Sequence, residues 1–155
     1  MKLKYITNSP FQTQKAGKVL AKKILKNKNI KKAIILGLVG GLGSGKTTFL
    51  KGLAKELGIK EKILSPTFII MRKLKIPIGQ KIKQFKNFYH IDCYRISKSK
   101  DILNLGFKEI ISRPQNIVVL EWADRLQKIL PKEALILRFK FTAKNKREIK
   151  IQKNE

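Results

Sequence analysis

The stretch Ala33-Ile34-Ile35-Leu36-Gly37-Leu38-Val39 runs without a polar side chain into Gly40-Gly41-Leu42-Gly43-Ser44-Gly45-Lys46-Thr47. Phe49, Leu50, Leu53, Ala54 and Leu57 then recur at helical spacing, and Gly58 closes the helix. A short, wholly apolar run is what a strand buried on both faces of a parallel sheet requires. The segment after it matches G-x-x-x-x-G-K-[ST] at every fixed position. Its glycines let successive backbone N–H groups turn toward phosphate oxygens. Gly43, Ser44, Gly45, Lys46, Thr47 and Thr48 are the expected nucleotide-binding residues. Lys46 brings a point charge to the β- and γ-phosphates, the Thr47 hydroxyl suits Mg²⁺, and the helix dipole adds positive potential. The expected ligands are therefore ATP and Mg²⁺ on an α/β fold.

Working outward, Leu3 to Thr7 reads as a strand. Ser9-Pro10-Phe11-Gln12 opens a helix, with serine as cap, proline in the first turn and glutamine as capping-box partner. Downstream, strands are expected from Phe68 to Leu74, Asn87 to Tyr94 and Ile117 to Leu120. Ala134 to Phe141 and Arg147 to Ile151 read as a terminal antiparallel pair. A helix is expected from about Lys100 to Ile111, and Leu126 to Leu130 closes a short helix before Pro131. No repeat or linker divides the chain, so residues 1–155 are expected to form a single domain.

A phosphate-binding loop needs an acid near its metal, commonly at the end of a neighbouring apolar strand. Glu121 follows Ile117 to Leu120 and is assigned to the metal, directly or through water. Asp92 ends the run Phe88 to Ile91 and is placed near the γ-phosphate, positioning water or metal. Thr67, in the turn Ser65-Pro66-Thr67, has the setting of a γ-phosphate-sensing threonine, although a capping hydroxyl explains the same spacing. His90 alternates within a strand and reads as a packed side chain. Trp122 could stack on a base or a partner, with core packing the plainer role.

Composition narrows the remaining choices. Cys93 is the one cysteine, which leaves no disulfide framework or cysteine zinc site and points to a reducing cytoplasm. No apolar run is long enough to span a bilayer, and the opening residues are too short an apolar stretch for a secretory signal. The net charge of +26 attracts polyphosphates and RNA. Yet 30 of the 36 basic residues are lysines, whereas RNA-reading surfaces favour arginine interleaved with aromatics.

Four blocks occur in order: Gly43-Ser44-Gly45-Lys46-Thr47-Thr48-Phe49, Ser65-Pro66-Thr67-Phe68, His90-Ile91-Asp92-Cys93-Tyr94-Arg95 and Glu121-Trp122. Together they closely resemble the signatures of the TsaE family, also called YjeE, over nearly the whole chain. The family is the bacterial ATPase component of the machinery that makes N6-threonylcarbamoyladenosine at position 37 of tRNAs. The resemblance implies a three-layer P-loop NTPase-like fold with a mixed, mainly parallel central sheet. It implies ATP with Mg²⁺ at the loop, metal roles for Thr47 and Glu121, a nucleotide-side role for Asp92 and a switch-like role for Thr67. It also implies association with a TsaB–TsaD transferase pair, slow hydrolysis that the pair promotes, and tRNA engagement within the complex. The group transfer itself falls to the partners.

The chain departs from the family at three places. Gly41 stands where an acid is usual, the loop from Arg72 to Lys86 is unusually basic, and Lys146-Arg147 replaces a Gly-Arg pair. The competing readings are a small nucleoside or nucleotide kinase and a basic RNA-binding module. A kinase would need an arginine-bearing lid, and the six arginines form no cluster after the loop helix.

Overall fold

The computed structural model describes residues 2–64, 70–79 and 82–155. Thr67 and the rest of the Ser65-Pro66-Thr67-Phe68 block lie outside the described residues. Seven strands form one sheet: β1 (Leu3–Thr7), β2 (Ile34–Val39), β3 (Met71–Lys75), β4 (Asn87–Asp92), β5 (Asn116–Glu121), β6 (Leu135–Ala143) and β7 (Lys146–Lys153). Their order is β1-β7-β6-β2-β5-β4-β3. The four central strands β6, β2, β5 and β4 pair in parallel, and antiparallel pairs flank them at both edges.

The pleat explains why β2, and β5 between Asn116 and Glu121, are apolar. Leu36, Leu38, Ile117 and Val119 point to one face, where α1 (Pro10–Lys26) and α2 (Lys46–Glu56) bury Leu20, Phe49, Leu50 and Leu53 against them. Ile35, Val118 and Leu120 point to the other, beneath α3 (Ser99–Leu103) and α4 (Phe107–Ser112), which supply Ile102 and Phe107. Three layers result, with β5 and the middle of β2 covered on both faces.

α1 starts as expected: the Ser9 hydroxyl accepts from Gln12 N at 3.2 Å, with Pro10 in the first turn. The Gln12 side chain reaches one residue further back than a capping box requires. It accepts from Asn8 N at 2.7 Å. The helices α1 and α2 cross with unusual intimacy. A methyl group added at Gly52 would overlap the Gln14 carbonyl, and one at Gly17 would overlap that of Phe49.

Three local expectations need correction. The helix expected from Lys100 to Ile111 is two short helices: the first ends at its cap Asn104, and Gly106, at a left-handed φ of 79°, caps the next. The short helix expected to close at Leu126 to Leu130 is a 3-10 turn that ends earlier, Ala123–Leu126. Trp122, at φ 58°, turns the chain immediately after β5. The expected strand from Phe68 begins at Met71 among the described residues and pairs antiparallel with β4. Among the described residues no helix is long and apolar enough to cross a membrane.

Candidate active site

The site lies where the parallel strands end. β2 delivers the chain to the glycine loop, and Gly45 caps α2 with φ 102°, which a side chain rarely tolerates. Its carbonyl accepts from Phe49 N at 2.9 Å, so the helix begins at Lys46. Thr47 and Thr48, in the first turn, are half-buried.

Lys46 is only 6% exposed. Its ammonium donates to the carbonyls of Gly40 at 2.6 Å and Gly41 at 2.9 Å, and lies 4.5 Å from the centroid of the Trp122 ring. Burial lowers its pKa, and the charges of Glu121, Asp92 and Asp124 oppose that shift. Three carboxylates from two different segments therefore surround the loop lysine. Asp124 is the one that sequence reasoning missed. It stands three residues after Glu121, just past the left-handed turn at Trp122, and its charge acts on Lys46.

Glu121 ends β5 and is 3% exposed, beside Asp92, its register partner on β4. Its Oε1 lies 2.7 Å from Nε2 of His90, which is itself 1% exposed. Asp92 Oδ1 accepts from Tyr94 N at 2.9 Å, so the turn after β4 orients that carboxylate. Trp122 packs against Tyr94 with ring centroids 5.0 Å apart, and Arg125 lies 5.5 Å from the Tyr94 ring. The sequence-level alternative of core packing for Trp122 is half right: one side joins the second core cluster, while the ring also carries the lysine cation.

From the far side of the loop comes Arg147, on β7. Its Nη2 lies 3.5 Å from the Gly43 carbonyl, and its side chain would sit 3.0 Å from any β-carbon at Gly45. Lys146 is exposed at the start of the same strand. Two buried polar atoms here have no protein partner, Ser44 Oγ and Arg147 Nε. Leaving such groups unpaired costs free energy, and a phosphate chain would satisfy them. Among the described residues no three His, Cys, Asp or Glu side chains gather as a metal cage. Mg²⁺ at phosphate sites needs none, since it takes one or two protein ligands and completes its shell with phosphate oxygens and water. The donors present fit that chemistry.

A strand, a glycine loop, a helix and acids at the ends of neighbouring parallel strands define a P-loop nucleotide-binding protein of the α/β class. A model of the TsaE family, described as threonylcarbamoyl adenosine biosynthesis protein TsaE, matches residues 7–149. The chain is 33% identical over 147 residues to the tRNA threonylcarbamoyladenosine biosynthesis protein TsaE of Rickettsia typhi, covering 94% of this chain and 92% of that one. Against the protein of the same description from Bacillus subtilis it is 33% identical over 150 residues, covering 95% and 83%. With that of Treponema pallidum it shares 34% over 117 residues, covering 76% and 80%. The crystal structure of Bacillus subtilis YdiB superposes with a TM-score of 0.70 at 28% identity, covering all of this chain and 87% of that one. The chain belongs to the TsaE family, and is thus a P-loop ATPase and ATP-binding component of tRNA threonylcarbamoyladenosine synthesis.

Proposed function

We propose that the chain binds Mg-ATP across Gly43 to Thr48 and hydrolyses it slowly by itself, in a cycle promoted by a TsaB–TsaD-like pair. The observation that carries this reading is the setting of Lys46. Its ammonium is parked on two loop carbonyls and surrounded by the charges of Glu121, Asp92 and Asp124. An incoming phosphate chain offers that cation a stronger, charged acceptor. Ser44 Oγ and Arg147 Nε gain acceptors in the same event.

In this reading Thr47 and Glu121 hold Mg²⁺, and Asp92 orients the attacking water. The metal, when bound, neutralises charge on the β- and γ-phosphate oxygens. Asp92 is held for its task by the Tyr94 N–H, and the buried end of β5 keeps Glu121 from wandering into solvent. Thr67 would sense the γ-phosphate as a switch residue. Residues 1–155 act as one ATPase domain in the cytoplasm. They leave the group transfer to the partners and meet tRNA within the complex.

Hydrolysis measured with and without the TsaB–TsaD pair tests the proposal. Partner-promoted turnover is expected, with no phosphorylation of nucleosides or nucleotides by the chain alone. Phosphoryl transfer to such an acceptor without partners would replace the reading with a kinase.

A further inference from the structure

We infer that His90 is a positioning residue for the metal-binding carboxylate, acting through Glu121. The inference rests on the assignment of Glu121 to the metal. In the parallel pair β4–β5, His90 lies opposite Val119 and Asp92 opposite Glu121. Alternate residues share a face, and Val119 packs into the cluster beneath α1 and α2. His90, Asp92 and Glu121 therefore share the face from which the phosphate-loop helix springs.

On that face His90 is 1% exposed and Glu121 3%, with 2.7 Å between Nε2 and Oε1. A carboxylate in its metal-binding form only accepts hydrogen bonds, so Nε2 carries the hydrogen and donates. One oxygen is thereby fixed and the other is left for the metal or its water. A glutamate at a strand end has three side-chain torsions to restrain. A second strand supplies the restraint through a buried imidazole. Partners of this kind, behind a metal ligand, commonly govern metal affinity by tenfold or more. A histidine that merely filled the core would need no carboxylate, because an apolar side chain of similar volume packs there without an unpaired nitrogen.

The test compares His90→Leu, His90→Gln and His90→Asn, alone and combined with Glu121→Gln. Calorimetry measures ATP affinity with Mg²⁺ and with a chelator. Glutamine carries its amide nitrogen at about the reach of Nε2 and asparagine does not. The expected result is that His90→Leu weakens the Mg²⁺-dependent part of binding by about tenfold or more, with chelated ATP bound as before. His90→Gln should restore it, His90→Asn should not, and His90→Leu should add nothing once Glu121 is glutamine. If the leucine variant fails to fold, the contrast between glutamine and asparagine decides. Equal Mg²⁺ dependence in those two would overturn the inference, as would a leucine variant that folds and keeps wild-type Mg²⁺ dependence. An independent readout needs no nucleotide, because His90 is the one histidine of the chain. Its imidazole ¹⁵N resonances should shift in Glu121→Gln, and unchanged resonances would also overturn it. Intact Mg²⁺ dependence in Glu121→Gln would instead remove the metal assignment itself. Loss there with none in His90→Leu would remove only the role of His90.

Discussion

Lys46 donates to the carbonyl oxygen of Gly40 at 2.6 Å, so the loop's own backbone holds the buried cation. The same ammonium lies over Trp122, the single tryptophan of the chain. In the proposed function the same cation serves the phosphates of ATP. Charge-assisted contacts of this kind are worth about 1.5–3 kcal/mol, so Lys46→Ala should weaken ATP binding by roughly one to two orders of magnitude. The fold should persist. Tryptophan fluorescence should respond to ATP in the wild type and not in the variant. Similar calorimetric affinities for the two proteins would refute the assignment of the loop.

Glu121 and Asp92 should separate by function. Glu121→Gln keeps the shape and the neighbour His90 but loses charge, and should reduce the Mg²⁺ dependence of ATP binding. Asp92→Asn should spare binding and lower turnover by about tenfold or more, in line with positioned groups in proton transfer and water attack. Titrations with ATP at varied Mg²⁺ and steady-state hydrolysis distinguish the two. Wild-type behaviour of both variants would place neither at the site.

The crossing of α1 and α2 depends on the absence of a β-carbon at Gly52. Its nearest neighbour would be the backbone carbonyl of Gln14, which cannot move aside as a side chain could. Gly52→Ala should therefore destabilise the fold by about 2 kcal/mol, despite alanine's better helix propensity. Thermal unfolding reads this directly, and an unchanged or raised Tm would show that the helices can part at no cost.

Cys93 is fully buried, and that burial, reinforced by Asp92, Asp124 and Glu121, pushes its pKa from 9.0 up to about 12. In the unfolded chain the thiol ionises near its ordinary value, while the folded state keeps its proton. Between about 9 and about 12 the folded state thus binds more protons than the unfolded one. Through this group stability is full below 9 and falls as pH rises. Denaturant melts of nucleotide-free wild type and Cys93→Ala should show a steeper alkaline decline in the wild type. Thiol-directed alkylation of the native protein should be slow at pH 8.

The basic surface should act through charge alone. Lys75, Lys83 and Lys86 are exposed around the loop between β3 and β4. Replacing all three with glutamate should leave ATP affinity nearly unchanged, because the site draws on its own nearby donors. The isolated wild type should bind tRNA weakly, with strong salt dependence and no preference over other RNAs. Filter binding at low and physiological salt checks this. Tight, tRNA-selective binding by the isolated chain would move RNA recognition from the assembled complex to this protein.

What the sequence determined by itself is the part of the protein whose interactions are local. The run Ile34–Val39, the glycine loop and the amphipathic segment after it specify strand, turn and helix within a few residues of each other. Ser9 likewise announces its cap, since donor and acceptor are three residues apart. Glu121 and Asp92 were legible as strand-end acids because apolar runs mark the ends of β5 and β4. Gly106 shows the limit even at short range. Periodicity carried a helix straight through it, whereas α3 ends at Asn104 and the left-handed backbone at Gly106 caps α4. The rest required the sheet to assemble. His90 meets Glu121 across 31 positions, and Arg147 meets Gly43 across 104. Parallel register puts the first pair on one face, and the closing hairpin brings β7 beside the loop in the second. Asp124 acts on the charge of Lys46 from beyond the left-handed turn of Trp122 at the end of β5. Spacing along a chain encodes contacts within a helix or a turn. Contacts between strands are set by pairing order and register, which the packing of both apolar faces decides together.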